Sequence, residues 1–141
     1  MDSRKISASA HVLLAAVHVY WATGATWPAA DERSLSLAVL NMQVSFGPAV
    51  VLPLAALHLL LAGALLASAR WKLSRLVVAG LVAGLAARAA VGLVWITGTV
   101  HTGTAFYWLN LLLYTPACVA LCVADLKLLR AHRPLVPEFS R

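Results

Sequence analysis

Charge is what this chain has least of. Only 11% of its 141 residues are charged and five are acidic, against a charged share of about 25% in soluble domains. With 62% hydrophobic residues and a mean hydropathy of +0.85, that scarcity excludes a soluble globular module and points to a polytopic membrane protein. Cysteine is nearly absent too. Cys118 and Cys122 stand one helical turn apart, a spacing that suits neither a disulfide nor a CxxC-type zinc or thiol-redox site and is met most simply by small core residues. The chain has no aspartate-rich cluster of the kind that ionises diphosphates, no internal repeat and no low-complexity tract. A crossing helix needs about 20 residues, so the length allows one membrane domain and nothing beside it.

Four apolar spans are present: Ile6–Ala25, Val44–Ala69, Leu76–Thr97 and Ala105–Leu129. Arg4 and Lys5 precede the first, as in a signal peptide, but His11 and His18 interrupt the apolar run and its length fits a retained span. Arg70, Lys72 and Arg75 fill the second connection, and Lys127, Arg130, Arg133 and Arg141 follow the fourth span. By the positive-inside rule, the sequence predicts an all-α, four-helix transmembrane bundle with N and C termini cytoplasmic, in a bacterial cytoplasmic membrane. The cations line a membrane face, which argues against nucleic acid as a partner. Leu35, Leu37, Val39, Leu40 and Met42 suggest a short interfacial helix capped by Ser34, and the tail Arg133–Arg141 reads as a surface extension. Pro48, Pro53 and Pro116 fall within spans two and four, and Gly80, Gly84, Arg88 and Gly92 recur on one face of span three. That face is expected to press on another helix or to border a cavity.

Arg88 is the most expensive residue in the chain. It lies deep in Leu76–Thr97, where a lone guanidinium costs roughly 3 to more than 10 kcal/mol unless partners compensate it. At 1.5 Å per residue, His18 lies about 18 Å, His58 about 16 Å and Arg88 about 18 Å from the cytoplasmic ends of their spans. One shared polar layer near the midplane is therefore expected, provided the helices turn these side chains inward. Above it lie Tyr20, Trp21, Trp27, Trp95, Phe106, Tyr107 and Trp108, interleaved with Asp31, Glu32, Asn41, Gln43, His101 and Asn110. Two arrangements satisfy this pattern: an aromatic belt at the headgroups, or an aromatic-walled pocket above Arg88. Tyr107, Asn110, Tyr114 and Ala117 share one helical face, as do His11, His18 and Trp21, which favours the pocket. Asp125, with Lys127 and Arg130 nearby, reads as a surface ion pair.

The stretch His18-Val-Tyr-Trp-Ala-Thr-Gly-Ala-Thr-Trp-Pro28 resembles the H-x-Y-W-A-x-G-x-x-W-P-like start of a family of small four-span bacterial membrane proteins of unknown function. The resemblance implies no activity. It implies that His18, Tyr20, Trp21, Gly24 and Trp27 act as a unit.

Two functional classes follow. The first is an intramembrane acid–base enzyme acting on a lipophilic substrate, of the protonation-initiated terpene cyclase or isoprenoid isomerase type, without a cofactor. Its acid is Asp31, Glu32, His18 or His101. Trp21, Trp95, Tyr107, Trp108 and Tyr114 stabilise a developing carbocation, with Tyr20, Trp27 and Asn110 completing the pocket, and Arg88 tunes a neighbour or holds an anionic substituent. The second is a binding protein, either a haem b electron carrier with His18 and His58 as axial ligands or a non-catalytic subunit of a membrane complex. Lipid and a second copy of the chain are the remaining expected partners.

Overall fold

The computed structural model describes residues 3–131, and among them every regular element is helical. The helices are α1 (Ser3–Ala22), α2 (Glu32–Leu40), α3 (Pro48–Ala67), α4 (Lys72–Val94), α5 (Ala105–Leu109) and α6 (Thr115–Ala131). A π-helical turn at Trp95–Thr99 prolongs α4, and a second at Asn110–Tyr114 joins α5 to α6. Three helical stretches are long and apolar enough to cross a membrane: Pro48–Ala67, Lys72–Gly98 and Ala105–Ala131. The tail Arg133–Arg141 lies outside the described residues.

Local chemistry sets the element boundaries. α1 stops at Ala22, where the Thr23 hydroxyl donates to the Tyr20 carbonyl and Gly24 takes a φ of 86°, a conformation glycine adopts without penalty. Pro48 occupies the first turn of α3 and not its interior, a position whose missing N–H costs nothing. The cap of α2 is Asp31, not Ser34: Asp31 Oδ1 accepts the Ser34 backbone N–H at 2.7 Å. At the other end Asn41, at φ 57°, donates its N–H to the Leu37 carbonyl.

α1 packs along α3, and α4 packs along the α5–α6 stretch; the two pairs meet through α3 against α4 and α1 against α6. Apolar clusters close both ends. Ala8, Ala62, Leu65, Val78 and Leu128 fill one, while Leu35 on α2 packs with Phe46 and Val51 at the other. α2 therefore roofs the second end, touching α5 as it crosses. Most of the long helices' surface faces outward and is apolar; Leu60 is 71% and Leu112 70% exposed, as suits lipid contact.

The expected small-residue seam on α4 is confined to one glycine. Gly80 and Gly84 are exposed, with open space where a Cβ would stand, whereas a Cβ on Gly92 would collide with the Thr115 hydroxyl and approach Arg88 Nη1 to 3.1 Å. Gly92→Ala is expected to lower stability by about 1–3 kcal/mol, the usual cost of overpacking, while Gly84→Ala leaves it unchanged or raised; unfolding titrations in mixed micelles read the difference. The Ser34 N–H holds the Asp31 carboxyl below the usual carboxylate range. Because the folded value is the lower one, the cap is intact above the ordinary carboxylate pKa and is lost as pH falls through the depressed value. The Ser34 amide resonance should follow that acidic transition and lose it in Asp31→Ala.

Candidate functional site

Two polar seams run between the apolar ends, one in each helix pair. In the α1–α3 seam, one face of α1 carries Ser7, His11, His18 and Trp21. His11 is almost fully buried, and its Nδ1 lies 3.0 Å from Nδ1 of His58 on α3. One of these nitrogens must donate and the other accept, so the neutral pair shares a single proton at that contact. The His18 ring lies 5.2 Å from that of His58 and 5.5 Å from that of Trp21. His18 Nδ1–H donates to the Leu14 carbonyl at 2.7 Å. A carbonyl only accepts, so this bond fixes the neutral tautomer and leaves Nε2 as the bare nitrogen.

Trp21 links this column to a cleft. Its ring packs edge-on against Phe46 at 5.2 Å, and its indole N–H donates to the Trp27 carbonyl. The cleft, of about 350 Å³, is bounded by the α1–α2 loop, Trp21, Glu32, Leu35, Phe46 and Pro48. Glu32 is anchored there by long-range bonds: its Oε1 accepts the Phe46 N–H at 2.6 Å and the Ser45 hydroxyl at 3.1 Å. Oε2 takes part in neither bond. Aromatic walls, a carboxylate and a column of imidazoles thus form one continuous feature.

The second seam belongs to Arg88. Its Nη2 donates to Asn110 Oδ1 at 2.7 Å, and its guanidinium carbon lies 4.9 Å from the Trp95 ring centre and 5.8 Å from that of Tyr114. Asn110 is fully buried and returns its own N–H to the Phe106 carbonyl at 2.8 Å. Phe106 packs edge-on against Trp95. Trp95, Asn110 and Tyr114 all belong to the two π turns, which widen the helix locally and re-aim side chains that a regular α-helix would place elsewhere.

The structure therefore divides the single polar layer expected from depth. Arg88 meets Asn110 and Tyr114 as expected, but His18 and His58 belong to the other helix pair, where His58 lies between the rings of His18 and His11. Equal depth fixes height and leaves azimuth open. Asp31 is spent on the α2 cap and is exposed. His101 is exposed and engages Thr104 only through its carbonyl. Tyr20, Trp27 and Trp108 are also exposed, and Tyr107 packs on Trp108, away from the ring pair that flanks Arg88. Asp125 is no surface ion pair: it is fully buried at the α1–α6 contact. Sequence reasoning missed Phe46 as a cleft wall, Thr115 beside Gly92, and the closeness of Asp125 to Ser7. Only the Ser7-His11-His18-Trp21 spacing carried a signal for any of these.

Removing the Arg88 head group strands Asn110 Oδ1 in an apolar interior. Arg88→Ala should cost about 1–3 kcal/mol from the unsatisfied amide alone. Arg88→Lys should restore only part of it, since an ammonium lacks the flat face that lies over Trp95; chemical unfolding in micelles ranks the three proteins.

No curated protein and no solved structure matches the chain. A family model described as "Protein of unknown function (DUF3995)" matches residues 11–124. The match begins at His11 and takes in the histidine column, the Glu32 cleft and the Arg88 seam. With a match over that much of its length, the chain belongs to the DUF3995 family.

Proposed function

We propose that this protein is a four-span acid–base enzyme of the bacterial cytoplasmic membrane, working on a lipophilic substrate of isoprenoid type in the Glu32 cleft. The observation that carries the reading is the run of rings His11, His58, His18, Trp21 and Phe46, which ends on a cleft that Glu32 also lines. α1 is the fourth span: it is 20 residues long and packs along α3. Arg4, Lys5, Arg70, Lys72, Arg75, Lys127 and Arg130 gather at the end remote from the cleft, which makes that end cytoplasmic and turns the cleft outward.

The chemistry follows from what surrounds the carboxyl. Glu32 Oε2 gives a proton to one carbon of an alkene and takes a proton back from a different carbon, so that the double bond moves and the enzyme is regenerated. The π faces of Trp21 and Phe46 stabilise the intervening positive charge. Asp31 is not the acid in this reading, because its carboxylate holds the start of α2. Arg88 acts at a distance from the cleft by fastening α4 to the π turn that precedes α6.

Haem between His18 and His58 fits less well. Axial ligands on opposite sides of an iron, each bound at about 2 Å, hold their rings further apart than the 5.2 Å found here, and the macrocycle must pass between them.

A photoreactive farnesol analogue tests the site. Crosslinks are expected within residues 21–26 and 45–48, displaced by excess farnesol. In D2O the wild-type protein should exchange deuterium into the allylic positions of bound isoprenoid. Glu32→Gln keeps an oxygen to accept the Phe46 N–H, so it should still crosslink yet exchange about a hundredfold more slowly or worse. Labels scattered over the lipid-facing helices, or exchange indifferent to Glu32→Gln, would overturn the assignment.

A further inference from the structure

Below the histidine column, one face of α1 meets α6 at a group of buried polar atoms that lack hydrogen-bond partners among the described residues. Ser7 Oγ, His11 Nε2 and both carboxylate oxygens of Asp125 are buried and find no hydrogen-bond partner among the described residues. Ser7 and Asp125 are fully buried, and His11 is 2% exposed. Ser7 and His11 lie one turn apart, about 6 Å along the axis. Asp125 reaches the same level from α6, close enough to interact with Ser7 though short of hydrogen-bond geometry. The neighbouring layer of Ala8, Ala62, Leu65, Val78 and Leu128 is apolar. Membrane interiors keep ionisable groups of this kind where protons or ions pass, and gaps between such groups are spanned by water with two or more polar partners.

We propose that the Ser7–His11–His18 face of α1 is a proton path through the bundle, joining Asp125 at the cytoplasmic end to the Glu32 cleft at the other. Every step conserves protons and charge. Asp125 releases its proton through the Ser7 hydroxyl, or a water beside it, to His11 Nε2. His11 then gives up the proton on Nδ1 to His58 Nδ1, across the 3.0 Å contact, and becomes neutral again. His58 in turn releases its Nε2 proton to the bare Nε2 of His18, which stands beside Trp21, and His18 becomes neutral again by passing that Nε2 proton through water in the cleft to the Glu32 carboxylate. Ring rotation or the reverse tautomer shift resets His11 and His58. Two imidazoliums cannot share the contact, since both Nδ1 atoms would then present a hydrogen, so protons pass one at a time. The groups that bias entry are Arg4 and Lys5 on α1, Lys72 and Arg75 on α4, and Lys127 and Arg130 on α6; α3 contributes His58 and no charged residue.

The path rests on the proposed acid–base reading only at its outer terminus, where it resupplies Glu32. Its test reads protons and not substrate. The full chain is reconstituted into vesicles holding a pH-sensitive dye, and a potassium gradient with valinomycin drives uptake. Wild-type vesicles should acidify faster than empty ones, and Asp125→Asn and His58→Gln should each slow uptake at least tenfold. As a measurement free of folding effects, dicyclohexylcarbodiimide, which attacks protonated carboxyls in apolar surroundings, should label Asp125 of the wild-type protein by peptide mass. Uptake no faster than in empty vesicles, uptake unchanged in well-folded Asp125→Asn, or a carbodiimide adduct absent from Asp125 would each overturn the path. Asp125→Asn should still crosslink the farnesol analogue. Uptake that persists in a protein whose cleft does not crosslink upholds the path and overturns the substrate reading alone.

Discussion

A polar group inside an apolar solvent has nowhere to turn but to its own protein, and this bundle is organised by that demand. Where water is scarce, an imidazole or a guanidinium at mid-depth is satisfied best by partners within the protein, often on a neighbouring helix. His11 and His58 meet this way across α1 and α3, and Arg88 and Asn110 across α4 and the turn before α6. Helices in lipid gain little from burying apolar surface against one another. These contacts therefore do for pairing what a hydrophobic core does in a soluble protein, and the apolar clusters at the two ends serve more as seals than as glue.

Hydropathy and charge placement made the long helices readable, because both depend on composition along the chain and not on which way a side chain turns. The same one-dimensional signal placed His18, His58 and Arg88 at a common height. It could not say that α1 pairs with α3 and α4 with α6, and that pairing is what separates the histidines from the arginine. The stripe of His11, His18 and Trp21 was legible because α1 is a regular helix, in which spacing maps onto a face. The stripe of Tyr107, Asn110, Tyr114 and Ala117 runs through a π turn, where the assumed 3.6-residue period no longer applies. Asp125 misled for a different reason. Its neighbours in sequence are cationic and exposed, while its neighbours in space are Ser7 and an apolar layer contributed by distant segments.

The two π turns show how sequence, packing and electrostatics meet at one residue. The second adds a residue to the helical turn just before α6, while the first, in the prolongation of α4, ends in a kink at Gly98, whose φ is 141°; together they bring two aromatic rings and a carboxamide around the guanidinium. Gly92 lets Thr115 come close beside it. The guanidinium is thereby met by one hydrogen bond and two ring faces, while its Nη1 finds no hydrogen-bond partner among the described residues.

Glu32 joins two roles that most proteins keep apart. The oxygen that accepts the Phe46 N–H at 2.6 Å belongs to the same carboxyl that lines the cleft, and Glu32 is also the first residue of the helix that roofs it. A carboxylate accepts a hydrogen bond more strongly than a carboxylic acid does. The fastening between roof and wall runs through the same carboxyl that faces the cleft. In mechanical terms the roof of the cleft is latched to its wall through this one carboxyl, so that whatever disturbs Glu32 disturbs the shape of the cleft as well.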